Sequence, residues 1–216
     1  MKKIASPLFQ DLSEAELDTL AAAGHLRTRQ FAKHEVIFRA GSCVREIGIV
    51  LRGSVHIENL DLWGTKSILS SVGAGQAFAE TYAFCGEALM VDAVAAEHCE
   101  ILFLHTAAFT DVRIEPALQD KLLRRLLAVS MRKNLSLSQR IFCTTPKTVR
   151  GRLLTYFSAQ AARCGRMEFE VPFNRQQMAD YLNLDRSALS KELCKMRDEG
   201  LLEFDKNRFV LKQLPE

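Results

Sequence analysis

The sequence lacks several features that would reveal a chemistry directly. It has no run of about eighteen apolar residues, which excludes a membrane-spanning helix of ordinary length. Its six cysteines form no C-x-x-C pair, so neither a disulfide framework nor a zinc site is indicated. No H-x-H pair occurs, although a metal-dependent enzyme on a β-roll would need one with a further His and Glu. We therefore expect no enzymatic activity, no bound metal and no membrane association.

The N-terminal segment also lacks a targeting feature. The first seventeen residues carry two lysines but no apolar segment of the secretory type. Scattered cysteines suit reduced thiols, so we expect a cytoplasmic location. The 216 residues, of which 48% are hydrophobic and 25% charged, are enough for one large globular domain or two ordinary ones.

The small net charge of +3 is unevenly distributed. Residues 1–140 hold 16 basic and 16 acidic residues, whereas residues 141–216 hold 13 and 10. A local basic excess favours a polyanionic partner, although small excesses are common on ordinary surfaces.

Three kinds of pattern follow one another along the chain. Residues 26–105 contain short β-branched and aromatic runs separated by glycines, which predicts a jelly-roll-like β-barrel. A long helix is predicted from about Pro116 to Cys143. The last third alternates helix, strand, two short helices and a hairpin, the pattern of a winged helix-turn-helix. The predicted fold class is α+β, divided at 1–115, 116–143 and 144–216.

The long helix carries two apolar stripes. The first suits packing on the β-barrel and consists of Leu118, Leu122, Leu126 and Val129. The second has the 4-3-4-3-4 spacing of a heptad seam and consists of Leu123, Leu127, Ser130, Asn134, Leu137 and Ile141. Because one short partner cannot cover both stripes, we predict a homodimer. A single amphipathic helix with a wide apolar face is the alternative.

The two short helices have the start signals of a helix-turn-helix. Asn174 with Gln177 predicts a capping box at the first helix, and Asp185 is placed to cap the second. Asn183, in the turn between them, tolerates a left-handed conformation. The start of the second helix is polar on one face and is placed to contact base edges through Arg186, Ser187, Ser190 and Lys191. An ordinary solvated helix face is the alternative.

Four more side chains extend this candidate DNA-binding surface. Arg175 and Gln176 open the first helix, where a guanidinium suits a backbone phosphate. Lys206 and Arg208 lie at the tip of the final hairpin, the expected wing. The sequence therefore predicts binding to double-stranded DNA.

Two long segments resemble one known family. FNRQQMADYLNLDRSALSKELCKMRDEGLLEFDKNRFVL is similar to the DNA-binding domain of the bacterial Crp/Fnr transcription regulators. GIVLRGSVHIENLDLWGTKSILSSVGAGQAFAE, together with the preceding IFRAG, resembles their cyclic-nucleotide-binding β-roll, with matching glycines at Gly41, Gly53, Gly64 and Gly75. The resemblance implies a sensor domain at 1–115, a dimerisation helix at 116–143 and a DNA-binding domain at 144–216. It also implies a homodimer that binds an operator, a small-molecule effector and RNA polymerase.

The recognition helix departs from the pattern that the resemblance implies. The family commonly presents Glu and, four positions on, Arg, where this chain has Ser187 and Lys191. We therefore expect docking in the major groove at a half-site that differs from the familiar one.

The sensor domain departs further. Nucleotide-binding members carry Gly-Glu and then an Arg-Ser pair that clamps the cyclic phosphate, where this chain has Ala79, Glu80, Met90 and Val91. A buried phosphate needs a cation, so we expect an effector that is not cAMP and is smaller or more apolar. The residues that the resemblance assigns to the effector site are Phe38, Ile57, Leu69, Phe78, Glu80, Met90, Val91, Leu137 and Ser138.

Two other triggers stay open on the same scaffold. One is a haem or redox sensor, whose candidate ligands or thiols are His25, His34, His56, His98, His105, Cys85 and Cys99. The other is a dimer that binds DNA without any effector. An iron–sulfur cluster is not expected, because Fnr-like members hold it with N-terminal cysteines and the first cysteine here is Cys43.

Overall fold

A computed structural model of the protein describes residues 4–60 and 66–212. It divides into two compact units, Met1–Arg132 and Lys133–Glu216, with the division inside one continuous helix. Gly64, one of the glycines of the expected roll, lies outside the described residues. The division of the chain at residues 115 and 143 stays a prediction.

The first unit is a β-roll with short helices. Its elements are α1 (Glu14–Ala22), β1 (Leu26–Phe31), β2 (Val36–Phe38), β3 (Glu46–Arg52), β4 (Val55–Leu60), β5 (Lys66–Val72), β6 (Ala77–Phe78), α2 (Glu80–Cys85), β7 (Asp92–Ala95) and β8 (Cys99–His105). Within the described residues, the strands form two antiparallel sheets in the orders β1-β8-β3-β6 and β2-β7-β4-β5. The predicted jelly-roll-like barrel is confirmed.

Aromatic rings fill the interior of the roll. The ring centroid of Phe38 lies 5.8 Å from that of Phe78 and 5.6 Å from that of Phe103. Gly48 on β3 faces the ring of Phe78 so closely that a Cβ atom at position 48 would collide with it. The missing side chain therefore gives the Phe78 ring its place in the core.

Helix α3 (Pro116–Thr144) begins at its proline, as predicted. Leu118, Leu122 and Leu126 of the first apolar stripe are buried in the core of the first unit, as predicted, whereas Val129, its last residue, is half-buried. Gln119, one residue beyond Leu118, donates a 2.9 Å hydrogen bond to the carbonyl oxygen of Asp111, and so ties the first turns of α3 to the preceding segment.

A buried histidine joins the same segment to the start of β1. Nε2 of His25 lies 2.7 Å from Oδ2 of Asp111. The side chain and the backbone N–H of Arg113 also bind this carboxylate and hold the pKa of Asp111 well below its usual range. His25 therefore has a structural role in the roll.

The second unit is a winged helix-turn-helix. After the end of α3 it contains α4 (Val149–Cys164), β9 (Glu168–Glu170), α5 (Arg175–Leu182), α6 (Arg186–Asp198), β10 (Leu202–Asp205) and β11 (Arg208–Leu211). The three strands pair antiparallel in the order β10-β11-β9. Its apolar core joins side chains of all three helices and the sheet, including Phe157, Met178, Leu193 and Phe209. The predicted architecture is confirmed here too.

We expect that Ala79→Gly stabilises the protein. Ala79 caps α2 with φ of +62°, a left-handed conformation that costs an L-residue with a Cβ about 1–2 kcal/mol. Glycine removes this cost but loses more chain entropy on folding, so a net gain of about 0.5–1 kcal/mol is expected. Urea unfolding followed by circular dichroism measures it.

Ala83→Gly, in the same short helix but at a buried position, is the matched control. It should lower the unfolding midpoint, since glycine weakens a helix interior by about 1 kcal/mol. A urea unfolding midpoint for Ala79→Gly below that of the wild type would contradict the backbone strain assigned to Ala79.

Candidate DNA-binding and effector sites

Both helices of the helix-turn-helix start at the predicted caps. The side chain of Asn174 accepts a 2.9 Å hydrogen bond from the Gln177 N–H, and the Gln177 side chain accepts one of 2.9 Å from the Asn174 N–H. The Asp185 carboxylate accepts a 2.9 Å hydrogen bond from the Ala188 N–H. Asn183 ends α5 with φ of +52°, the left-handed conformation expected for the turn.

Two arginines that the sequence analysis did not single out hold this turn. Arg140 on α3 donates to the carbonyl oxygens of Asp180 and Tyr181, each at 3.0 Å. Arg152 on α4 donates to the carbonyl oxygen of Asn183 at 2.7 Å, with a longer bond to that of Leu182. The last carbonyls of a helix lack helical partners and carry partial negative charge, so two guanidinium groups stabilise the end of α5.

The predicted recognition face of α6 is accessible. Arg186, Ser187 and Lys191 are exposed and Ser190 is half-buried. The opposite face is fully buried through Leu189, Leu193 and Met196. Helix α6 is thus anchored in the core of its unit by one side and presents a polar side to solvent.

The hydroxyl of Ser187 is already engaged at this face. It donates a hydrogen bond to the carboxylate of Asp185, and this bond together with the Ala188 N–H lowers the pKa of Asp185. While this bond is present, the Ser187 oxygen offers a further partner its acceptor lone pairs.

The four additional DNA-binding candidates differ in whether their side chains already have partners within the unit. Gln176 donates to Asp180 at 2.8 Å, and Arg208 forms an ion pair with Glu168 across the wing. Lys206 is exposed at the hairpin tip with φ of +50°. Arg175 is half-buried at the start of α5, with its guanidinium over aromatic rings of the wing.

The predicted effector residues fall into unlike environments. Phe38, Phe78 and Glu80 are buried, Ile57 and Val91 are half-buried, and Leu69 and Met90 are 50% and 77% exposed. Leu137 and Ser138 are exposed residues of the second unit. The structure brings Phe38 and Phe78 together in the aromatic core but leaves Met90 in solvent.

A groove between α2 and α3 lies beside the buried Glu80. It has a volume of about 250 Å³ and is lined by Glu80, Thr81, Phe84, Cys85, Leu123, Leu126, Leu127 and Ser130. Three of these residues belong to the predicted dimer seam. Sequence reasoning missed Thr81 and Phe84, because only the packing of α2 against α3 places them here.

The second stripe of α3 is solvent-exposed in the isolated chain. Its leucines and isoleucine are between 46% and 65% exposed, Asn134 is exposed and Ser130 is half-buried. Met131, Leu135 and Phe142 enlarge the exposed apolar surface of the helix. A surface of this kind on one helix is typical of an interaction face.

Several of the candidate haem ligands have structural roles. Nδ1 of His105 accepts a hydrogen bond from the Ala107 N–H at 3.0 Å, and the buried Cys99 thiol donates to the Ser54 carbonyl at 3.0 Å. Cys85 is exposed at the end of α2. Residues 4–60 and 66–212 contain no group of three or more His, Cys, Asp or Glu side chains arranged to hold a metal ion.

No helix in the described segments is both long enough and apolar enough to span a membrane.

Two family models match the chain, in the order in which the two units occur. The cyclic nucleotide-binding domain matches residues 28–114 and the Crp-like helix-turn-helix domain matches residues 151–216. No curated protein matches the sequence.

Similar solved structures cover nearly the whole chain. The catabolite activator protein of Thermus thermophilus is 24% identical, covers 96% of this chain and 94% of its own, and gives a TM-score of 0.50. CprK complexed with OCPA is 13% identical, and the match covers 94% of this chain and 91% of CprK, with a TM-score of 0.65. The c-di-GMP responsive regulator CLP of Xanthomonas campestris is 18% identical over 93% and 100%, with a TM-score of 0.55.

The solved structures share the fold, and the two domain matches add what the fold alone does not show. A cyclic nucleotide-binding roll and a Crp-like helix-turn-helix stand in sequence on one chain, on either side of the long helix. The chain therefore belongs to the Crp/Fnr family of transcription regulators.

Proposed function

We propose that the protein is a homodimeric, sequence-specific regulator whose affinity for its operator is controlled by a small-molecule effector other than cAMP. The observation that carries the proposal is the exposed polar face of α6 on a helix whose other face is buried. By resemblance, the same proposal includes a cytoplasmic location and contact with RNA polymerase.

On this proposal, the start of α6 reads bases in the major groove. Arg186 is exposed and suits the O6 and N7 acceptors of guanine. Ser187, whose hydroxyl donates a hydrogen bond to Asp185, suits a base that donates, such as cytosine or adenine through its amino group. Arg175 and Lys206 suit backbone phosphates, which set position and affinity rather than sequence.

The exposed stripe of α3 supports dimerisation. Its apolar side chains follow the heptad spacing, so the α3 helix of a second copy would cover them as a two-stranded coiled coil does. Dimerisation also places two α6 helices on one DNA duplex, as a symmetric operator requires.

The effector is proposed to bind in the first unit, near Phe78, Glu80 and Met90. Among the described residues, the groove beside Glu80 is lined by no Lys or Arg, so a phosphate would be poorly compensated there. Similar folds respond to unlike ligands, since CLP is responsive to c-di-GMP and CprK was solved with OCPA. A smaller or more apolar ligand suits this chain better than a cyclic nucleotide.

Cys85 supports a second candidate trigger. It is exposed and lines the groove together with Leu123 and Leu127 of the seam. Oxidation of this thiol would place a polar group against the apolar seam. A change in dimer affinity on treatment with hydrogen peroxide, absent in Cys85→Ser, would identify this trigger.

Leu127→Lys is expected to abolish both the dimer and operator binding. In a dimer the substitution buries two charges in the seam, at a cost of several kcal/mol. Analytical ultracentrifugation and fluorescence anisotropy measure the two losses. Val112→Lys, at an exposed apolar position outside α3, is the control and should remain a dimer. A dimeric Leu127→Lys protein that still binds DNA would exclude this seam.

Arg186→Ala and Arg175→Ala are expected to differ in kind. Arg186→Ala should cost about 1–3 kcal/mol and relax the preference at one base pair per half-site. Arg175→Ala should weaken all sequences alike and lower the salt slope of binding by about one. Selection of bound sequences from random duplexes, followed by salt titration, separates the two. Identical specificity profiles for both variants would refute the assigned roles.

Calorimetric titration is expected to show no micromolar binding of cAMP or cGMP. Loss of a buried charged hydrogen bond lowers affinity by roughly thirty- to several-thousand-fold. The double variant Met90→Arg with Val91→Ser restores the pair that the family uses and should gain affinity. Saturable micromolar binding by the wild type, with tighter operator binding, would overturn the proposal.

A further inference from the structure

Arg175 is a cation held by aromatic rings. The carbon centre of its guanidinium lies 4.9 Å from the ring centroid of Phe204 on β10 and 5.1 Å from that of Phe209 on β11. Across residues 4–60 and 66–212, no hydrogen bond or ion pair to the guanidinium accompanies these contacts. The wing is therefore what holds this side chain at the start of α5.

Neighbouring arginines are held in a different way. Arg208 pairs with Glu168, and Arg197, which also lies over Phe204 at 5.5 Å, approaches Asp198 at 3.3 Å. A carboxylate partner neutralises a guanidinium and competes with any incoming anion. An aromatic ring attracts the cation through its quadrupole but leaves the charge uncompensated. Arg175 is thus fixed in place while keeping its charge for another partner.

The space beside Arg175 suits an anion. A cavity of about 490 Å³ is lined by Pro172, Phe173, Asn174, Arg175, Lys206 and Asn207, a set with two cations and no carboxylate. Asn174 is the N-cap of α5, so the partial positive charge of the helix start lies beside the same space. Partial burial lowers the pKa of Arg175 by removing water from its charged form, so a phosphate oxygen would replace lost solvation.

The two rings are themselves fixed by the wing. Phe204 and Phe209 are directly opposite each other in the β10–β11 ladder, with ring centroids 5.9 Å apart. Phe209 is fully buried in the core of the unit, whereas Phe204 is half-buried. Phe204 can therefore be changed with less damage to the core than Phe209.

We propose that Phe204, supported by Phe209, is a positioning residue that holds the Arg175 guanidinium toward a DNA backbone phosphate. The inference rests on the proposed DNA-binding function and deepens it. It makes the wing contribute to affinity through a residue of α5, in addition to any contact by Lys206. Changing the ring should therefore affect binding only while Arg175 is present.

A double-mutant cycle on the full chain tests this. Binding of a fluorescent 30-base-pair duplex of random sequence is measured between about 50 and 300 mM KCl for the wild type, Phe204→Leu, Arg175→Ala and the double variant. Phe204→Leu should weaken binding by about two- to thirty-fold. In the Arg175→Ala background, the same change should alter affinity by less than about two-fold, because the contact it supports is already gone.

Three further variants separate positioning from general damage. Val210→Ala is the matched control, since Val210 is a half-buried apolar residue of β11 that does not line the cavity, and it should bind like the wild type. Phe204→Tyr keeps the ring and should also bind like the wild type. Phe204→Met, without a ring but of similar volume, replaces Phe204→Leu if circular dichroism shows that the latter is unfolded.

The outcomes are distinct. Equal weakening by Phe204→Leu with and without Arg175, or no weakening at all, overturns the positioning role and leaves the DNA-binding function standing. Wild-type binding by Arg175→Ala overturns the phosphate contact and the positioning role together. No binding of duplex DNA by the wild type overturns the proposed function and this inference with it.

Discussion

The apolar surface of α3 is the constraint on which the rest of the architecture depends. Leu122 and Leu126 are buried in the core of the first unit, while the residues next to them, Leu123 and Leu127, are exposed. Successive residues of a helix differ in direction by about 100°, so a rotation of α3 that buries one stripe more deeply also turns the other. Packing in the roll and packing along the seam are therefore not independent.

The same helix also belongs to the second unit. Cys143, in its last turn, lies in the core of the helix-turn-helix, and Arg140 binds the end of α5. One continuous helix thus takes part in the core of the roll, in the exposed seam and in the support of α5. Helix α3 is the one helix among the described residues that belongs to both units.

Local signals in the sequence were sufficient to predict the helix caps and the turn of the helix-turn-helix. Caps at Asn174 and Asp185 and the left-handed Asn183 depend on residues within four positions, so the sequence predicts them correctly. Gly48, whose partner is Phe78, could not be predicted, because the partner is distant in sequence and is placed by sheet pairing. The effector residues were assigned by resemblance, and a resemblance does not predict the burial of individual side chains. It therefore did not indicate that Met90 is exposed while Phe78 is buried. The sequence therefore predicts the local structure of the C-terminal third in more detail than that of the β-roll.

The bonds from Arg140 to α5 also bear on where the second unit could be cut from the first without loss of contacts. The visible end of α3 at Thr144 suggests a place where a DNA-binding domain could be joined to a different sensor. A recombination there would leave Arg140 with the old sensor and remove both of its bonds to Asp180 and Tyr181. The compact unit that contains the helix-turn-helix begins at Lys133 and includes the last segment of the long helix. In this chain the compact unit around the helix-turn-helix is therefore larger than the helix-turn-helix itself, because it includes the end of α3.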